Sequence, residues 1–255
     1  MAKPDSTQAT ETLHEIESIF DRMARWVTHN PMLALGALAG ILATAAAIGG
    51  YEAWRRSREA EASAEVAAIQ ADFMRAMGAQ PNQATIVEPA NAETAAATRR
   101  EYAQRLLDAA ERLAGTHAAL AAQLQAGSLK SELGENEAAL AAWRGAADAA
   151  PPDSVLGALA RTRLAAGLEA SGDVAGAAEA YLQAGGTAEF PGRVLALGDA
   201  ARCLAEAGQT ARALEVFGGL SEEEVVALPV YVTARLTELR VRSAAAAGPG
   251  PADAP

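Results

Sequence analysis

Apolar positions in this chain recur at helical spacing, and in the second half a short signature recurs with them. Each copy is a Gly, an Ala five residues later and an aromatic residue four beyond that. The three copies are Gly134, Ala139 and Trp143; Gly172, Ala177 and Tyr181; and Gly208, Ala213 and Phe217. The Gly suits a turn between two helices, where a positive φ is cheap only for Gly. Because a helical hairpin cannot bury its apolar face alone, such copies are expected to stack.

The same periodicity predicts an all-α chain, since no run of alternating strand-forming residues occurs in it. Residues 78–91 contain two prolines and are predicted as a loop. The predicted helices cover residues 52–77, 99–113, 120–133, 136–149, 155–171, 173–183, 193–207, 210–218 and 229–246, with a short helix start at residues 221–224.

The first half holds one long apolar segment, Met32–Gly50, which is almost wholly apolar or small. Its length corresponds to roughly 28 Å of helix, the thickness of a bilayer core. Trp26 precedes it and Tyr51 and Trp54 follow it, where interfacial aromatic residues belong. A buried Ala-rich helix and a cleaved signal peptide are the alternatives. A signal peptide has a short basic start, unlike the mixed-charge region here, so we predict an uncleaved signal anchor over residues 31–51.

Two further features concern the N-terminal part. Gly36 and Gly40 have the spacing that lets two membrane helices come into backbone contact, although Ala-rich segments generate this spacing by chance. Thr12 and Glu15 have capping-box spacing, and apolar residues follow at helical spacing. Residues 1–30 are therefore predicted as a short tail with an amphipathic helix that binds a protein partner; a loosely ordered tail is the alternative.

Basic residues flank the predicted span on both sides: Lys3, Arg22 and Arg25 before it, and Arg55, Arg56 and Arg58 after it. The second group lies closer to the span. Taken alone, the positive-inside rule therefore leans toward a cytoplasmic C-terminus.

The first repeat carries a fuller motif, with Gly127, Gly134, Ala139, Trp143, Ala146 and Pro151 where the 34-residue tetratricopeptide repeat (TPR) places its Gly, Gly, Ala, aromatic residue, Ala and Pro. The later copies keep three of these positions but have Ala165 and Ala201 for the first Gly. The second half of the chain thus resembles TPR proteins. The resemblance implies a solenoid of helical hairpins that binds other proteins.

The layout as a whole resembles the ancillary subunit of the bacterial Sec translocon. The predicted order is a cytoplasmic tail (1–30), a transmembrane signal anchor (31–51), a helical connector and loop (52–98), TPR-like repeats with a closing helix (99–247) and a disordered tail (248–255). The resemblance implies an inner-membrane protein with periplasmic repeats that associates with the channel and with a periplasmic chaperone or an emerging polypeptide. We follow it over the arginine count because long domains translocate largely regardless of local charge.

Two other functions stay open: an envelope scaffold that coordinates cell-wall synthesis or division, and the same array facing the cytoplasm. A net charge of −11 argues against nucleic acid as a partner. The sequence contains one Cys and three His, with no metal-ligand spacing, nucleophile motif or phosphate-binding Gly loop. We therefore predict no catalytic, metal-binding or cofactor-binding residue and no small-molecule substrate.

A partner-binding groove is predicted on the first helix of each repeat. The candidates are the residues predicted to face the concave groove that these helices line: Leu124, Ser128, Glu132, Thr162, Glu169, Arg202 and Glu206. Ordinary solvent-facing positions are the alternative for each. The mixture suits an apolar helix or an extended, weakly basic segment of a partner.

Overall fold

The computed structural model describes residues 28–79 and 91–247, and within these ranges all regular structure is helical. The helices are α1 (Pro31–Ala76), α2 (Ala92–Arg112), α3 (His117–Glu132), α4 (Asn136–Ala149), α5 (Val155–Ala170), α6 (Val174–Gly185), α7 (Arg193–Glu206), α8 (Thr210–Gly218), α9 (Glu222–Ala227) and α10 (Val230–Ala247). The all-α prediction is therefore confirmed.

The chain divides into two units, and the boundary falls within α1, between Ser57 and Arg58. In the first unit, α1 displays large apolar side chains over its whole circumference. Met32 is 84% exposed and Ile41 is 66% exposed. This is the one described helix that is long and apolar enough to cross a membrane, judged by length and composition. None of the residues in its apolar window is buried.

The second unit is a stack of helical hairpins. The α3/α4, α5/α6 and α7/α8 pairs form the three repeats, and consecutive helices are in contact from α2·α3 through α7·α8. The first helices of the first two repeats, α3 and α5, also contact one another. At the far end, α10 packs on α7 and α8.

The N-terminal end of this stack is formed by the last part of α1 together with α2. Val66 and Ile69 of α1 lie in one buried cluster with Tyr102 and Leu106 of α2. The Phe73 ring packs on the Tyr102 ring with centroids 5.4 Å apart. These two helices thus act as a first, irregular hairpin on which the three repeats stack.

The core of the stack is built largely from alanine. Ala146, Ala165, Ala178 and Ala200 have no exposed surface. Such small side chains let helix backbones approach closely, and a few larger residues fill the space that remains. Packing of this kind needs faces that match in shape, which repetition of one hairpin supplies.

Two predicted helix starts are confirmed in detail. The carboxylate of Asp173 accepts a hydrogen bond from Gly176 N at 2.9 Å, which caps α6. Ser221 and Glu224 form a reciprocal capping box at the start of α9, each side chain accepting from the other's backbone N–H. Local side-chain chemistry therefore fixes both starts.

Two other helices begin earlier than predicted. Helix α2 begins at Ala92 instead of Arg99, because Asn91 accepts from Glu93 N at 2.9 Å and caps it there. Helix α3 begins at His117 instead of Leu120, with Thr116 accepting from Ala119 N at 3.1 Å. The predictions for residues 1–27, most of the 78–91 loop and the 248–255 tail lie outside the described residues.

Candidate functional site

The three signature glycines occupy equivalent turns. Gly134, Gly172 and Gly208 have φ values of 73°, 90° and 77°, in the left-handed region that favours glycine. At each turn the next residue donates its backbone N–H to the carbonyl five residues back, at 2.8–2.9 Å; Asp173 N to Leu168 O is one example. The same turn geometry therefore separates the two helices of every repeat.

The Ala and aromatic positions of the signature meet inside each hairpin. Ala139, Ala177 and Ala213 are at most 1% exposed. Trp143, Tyr181 and Phe217 are buried as well. The Ala and aromatic positions of the signature therefore build the scaffold.

Trp143 explains why only the first repeat keeps the extra glycine. A Cβ at Gly127 would lie 2.6 Å from the indole Cδ1 atom, so only Gly fits against this ring. The indole Nε1 donates to Leu124 O at 3.2 Å. In the later repeats Ala165 and Ala201 take the Gly127 position and are fully buried in the clusters that contain the smaller rings of Tyr181 and Phe217.

The predicted groove residues all lie on first helices, but they differ in accessibility. Leu124 is only 8% exposed and belongs to the core. Ser128 Oγ donates to Leu124 O at 3.1 Å, and Thr162 Oγ1 donates to Ala158 O at 2.9 Å. Glu132 is exposed and pairs with Arg99 of α2 at 2.9 Å. The Ser128 and Thr162 hydroxyls are thus hydrogen-bonded within their own helices, and Leu124 lies in the core. The predicted groove residues that stay accessible are charged.

The structure brings three of the predicted groove residues, Glu169, Arg202 and Glu206, together with Asp199. We call these four residues the Arg202 cluster. Arg202 donates to both carboxylate oxygens of Glu169 at 2.8 Å and to Asp199 at 3.2 Å. Glu206 lies 3.6 Å from the same guanidinium. Three carboxylates around one arginine give this surface an excess of negative charge.

Burial and hydrogen bonding move the pKa values in this cluster in opposite directions. Hydrogen bonds from Arg202 lower the pKa of Glu169. Burial raises the pKa of Asp199 despite the same arginine. Burial also raises the pKa of the neighbouring Cys203 thiol to about 12. Burial thus favours the protonated thiol of Cys203 over the thiolate.

Charge pairs one repeat apart were not predicted from the sequence. Besides Arg202 with Glu169, Arg212 of α8 pairs with Glu179 of α6 at 2.7 Å. Both pairs are separated by 33 residues along the chain, as are Arg99 and Glu132. Opposite charges at this recurring separation are the sequence signal that could have found them.

A second contact missed by the sequence reasoning ties α1 to the array. The carboxylate of Glu59 accepts from His117 N and Ala118 N, both at 3.0 Å, at the start of α3. Arg58 donates to Ala114 O at 2.9 Å. Glu59 thus supplies a helix cap from a distant part of the chain, which favours its ionised form.

A small pocket of about 210 Å³ lies near the same turn. Its walls are mainly apolar and include Leu120 and Pro151, with Gln123 among the lining residues. The Gln123 Oε1 atom is buried and has no hydrogen-bond partner among the described residues. Within residues 28–79 and 91–247, no group of three or more His, Cys, Asp or Glu side chains could hold a metal ion.

In the apolar part of α1, Gly36 and Gly40 are exposed, and a Cβ at either would meet nothing within 4 Å. Thr44 Oγ1 donates to Gly40 O at 2.9 Å. The glycines are therefore accessible, and a contact with a second membrane helix stays a prediction.

The fold defines the class: an array of TPR-like helical hairpins preceded by one long apolar helix. No protein-family model matches the chain, and no curated protein matches it. Two solved structures of TPR-like repeats from a Podosopora anserina kinesin light chain, one of them a single-residue variant of the other, are similar to it at 17% identity. Each has a TM-score of 0.43 and covers 57% of this chain and 81% or 80% of its own. The TPR-like assignment rests on the hairpins, turns and packing described above.

Proposed function

We propose that the chain is a single-span membrane protein without catalytic activity, whose TPR-like array binds other proteins. The observation that carries this proposal is the exposure of the apolar part of α1. Its 18-residue window has a mean hydropathy of 2.0 and contains no buried residue. An apolar surface of this extent is unfavourable in water at roughly 25 cal/mol per Å², whereas a bilayer covers it.

Features next to this segment support a membrane span over the two alternatives. A core helix of a water-soluble protein would be largely buried, and this one is not. Cleavage of a signal peptide after residue 50 would cut inside α1, which continues as one helix to Ala76. Tyr51 and Trp54, with ring centroids 6.0 Å apart, lie at its end and suit the bilayer interface.

The array is proposed to bind proteins through its first helices. Polar groups there pair with one another, as in the Arg202 cluster, and leave a surplus of carboxylates. That surplus favours a weakly basic partner segment. A membrane tether would confine the array and its partner to one thin layer, so that modest affinity suffices.

In finer detail, we propose an ancillary subunit of the Sec translocon in the bacterial inner membrane, with its N-terminus in the cytoplasm and its array in the periplasm. The partners would be translocon subunits and a periplasmic chaperone or an emerging polypeptide. The support is the order of tail, span, connector and repeats. An array facing the cytoplasm is the second candidate, favoured by Arg55, Arg56 and Arg58 directly after the span.

Topology is tested with C-terminal reporter fusions in bacterial cells. We expect activity from a reporter that works only in the periplasm and none from one that works only in the cytoplasm. The reverse result would overturn the periplasmic placement while leaving the membrane span intact. Extraction of membranes at alkaline pH, which leaves spanning proteins in the pellet, tests the span separately.

Partner identity is tested with a photo-crosslinking residue in place of Glu206, at native expression. Glu206 is exposed on a first helix, and Glu215, exposed on a second helix, is the matched control. We expect adducts with channel subunits or a periplasmic chaperone at Glu206 and few at Glu215. Adducts with cell-wall or division proteins would support an envelope scaffold instead, and the absence of channel and chaperone adducts would contradict the Sec assignment.

A further inference from the structure

A pocket of about 230 Å³ lies where the first repeat meets the second, between the end of α3, the start of α4 and α5. Its apolar lining includes Leu140 and Trp143 of α4, which pack on Gly167 of α5. A Cβ at Gly167 would lie 2.7 Å from Leu140 Cδ2 and 2.9 Å from Trp143 Cζ3, so these two side chains take the space that a larger residue would need. We call this cavity the Trp143 pocket.

Three exposed residues of the lining carry polar side chains: Ser131, Asn136 and Arg163. None of these side chains makes a hydrogen bond or an ion pair with another of the described residues. By contrast, Arg202 and Arg212 each pair with a carboxylate one repeat back, at 2.8 and 2.7 Å. The Trp143 pocket therefore offers an unpaired cation and two neutral hydrogen-bonding groups beside an apolar surface.

The junction of the second and third repeats is occupied differently at the same places. Counted from the turn glycines, Ser131 corresponds to Glu169, Ala166 to Arg202 and Gly167 to Cys203. At that junction Arg202 donates to Glu169 at 2.8 Å, and Cys203 is fully buried. At the first junction Ser, Ala and Gly are too small to fill the same space. The Trp143 pocket thus follows from sequence differences between two equivalent junctions.

We propose that the Trp143 pocket binds a segment of a partner protein in which an aliphatic residue is followed by Asp or Glu. This inference rests on the proposed function of the array as a protein-binding surface. The aliphatic side chain would contact Leu140 and Trp143, and the carboxylate would pair with Arg163. The Asn136 amide has both donors and an acceptor, so it can pair with the peptide unit between the two side chains.

Charge argues for an acidic segment at this pocket, although the chain as a whole is acidic. None of the residues that line the pocket is acidic, and Arg163 is its charged member. The Arg202 cluster, at the equivalent place, has three carboxylates around one arginine. The two junctions would therefore take partner segments of opposite charge.

The test uses the full chain in detergent with Trp26→Phe and Trp54→Phe, which leaves Trp143 as its tryptophan. The probe is the capped dipeptide acetyl-Leu-Asp-amide, and acetyl-Leu-Asn-amide is the neutral probe of the same shape. We expect the acidic probe to change the Trp143 emission in a saturable way, with a Kd of roughly 1 mM for so small a ligand. The neutral probe should bind about tenfold more weakly, because it lacks the charge that Arg163 would pair with.

Matched variants separate the pocket from the overall charge of the chain. Arg163→Gln should weaken binding of the acidic probe about tenfold. Arg161→Gln removes the same charge two residues away on α5, outside the lining, and should change binding by less than about twofold. Ser131→Glu combined with Ala166→Arg reproduces the second junction at two exposed positions, and this variant should not bind the probe.

Equal binding of the acidic and neutral probes would overturn the proposal, as would equal binding by Arg163→Gln and its parent. So would the absence of both an emission change and saturation transfer to the probe by NMR, up to about ten times the expected Kd. If 4-methylpentanoate, an aliphatic acid without a peptide unit, bound as tightly as the dipeptide, the pocket would be assigned to free organic acids instead.

The crosslinks at Glu206 test protein binding by the array on a different surface. A pocket that fails these tests while Glu206 gives adducts would therefore refute this inference alone. Probe binding without adducts at Glu206 would support the pocket and count against the groove.

Discussion

The apolar part of α1 and the helices of the array are built from similar residues, yet they bury them in opposite ways. In α1, Leu33 is 64% exposed and Leu42 is 60% exposed. In the array, Leu106 and Leu204 are at most 1% exposed. The difference lies in the intervening residues, because every array helix from α2 to α8 carries at least one charged residue whereas residues 31–51 carry none. The placement of polar residues along a helix, more than its apolar content, therefore indicates whether its apolar side chains are expected to pack on other helices or to contact lipid.

The array also shows how an alanine-rich helix gains enough burial to pack. Alanine alone buries little area, so each hairpin adds one ring that fills the space between its helices. Trp143 serves the next repeat as well, since a Cβ at Gly167 of α5 would lie 2.9 Å from its Cζ3 atom. A bilayer would impose no such matching on the proposed span in α1, where side chains need only be apolar.

The two regions should respond oppositely to loss of a tryptophan. Trp143→Ala removes a buried ring and leaves a cavity between two repeats, which should lower the free energy of unfolding of the array by about 3–5 kcal/mol. Trp54→Ala, in the first unit, should leave that free energy unchanged, because Trp54 lies outside the array and is 55% exposed. Urea unfolding followed by circular dichroism measures both, and equal losses would remove the distinction between the two units.

A charge should be harmful in α1 and harmless on the array surface. Ile41→Arg places a charge near the centre of the proposed span, at a cost of about 2.5–3.5 kcal/mol to insertion. We expect a reduced membrane fraction after alkaline extraction. Ala211→Arg, on the exposed side of α8, is the control that should remain in the membrane. Unchanged fractionation of Ile41→Arg would argue against the span.

Replacing a glycine by alanine should lower stability more in the repeat turns than at other glycines. Gly134→Ala forces a side chain into the left-handed region at φ 73° and should cost about 1–2 kcal/mol of stability. Gly218 lies in α8, and a methyl group added there would meet nothing within 4 Å, so Gly218→Ala should be neutral or slightly stabilising. Thermal unfolding of the pair distinguishes turn strain from a general intolerance of alanine.

The smallest effect concerns pH and the Arg202 cluster. Because hydrogen bonds from Arg202 lower the pKa of Glu169, this carboxylate stabilises the fold above its unfolded pKa of about 4.3, and the contribution is lost as pH falls through the lower folded pKa. Glu169→Gln should therefore cost on the order of 1 kcal/mol at pH 7 and less below pH 4. Unfolding curves at both values measure the change.

Asp199 should behave in the opposite sense. Burial raises its pKa in the folded state, so its ionised form opposes folding at neutral pH and protonation relieves this as pH falls. Asp199→Asn should therefore be as stable as the wild type at pH 7 or more so. A large loss at pH 7 would show that the hydrogen bond to Arg202 outweighs the desolvation of Asp199.

The sequence predicted the elements of the array closely because its local signals are strong. Helices α4 and α8 have the predicted bounds, and Asp173 and Ser221 cap the helices that they were predicted to cap. Where the start depended on a single capping side chain, Asn91 or Thr116, without a pronounced apolar period beside it, the predicted start fell several residues late. For the groove, the sequence could indicate which helices line it but not which of their residues are accessible. Helix α3 carries small and apolar residues around its circumference, so periodicity could not show that Leu124 points into the core.

By itself, the sequence determined that the chain is helical, that its second half is made of repeated hairpins and that one segment is apolar enough to span a bilayer. These properties follow from short-range composition and spacing. Only the tertiary structure decided which side chains meet: Gly127 with the ring of Trp143, Glu59 with the start of α3, and Arg202 with Glu169. It also decided which face of α10 is buried, because that face, with Val232 and Leu236, is defined only by packing against α7 and α8.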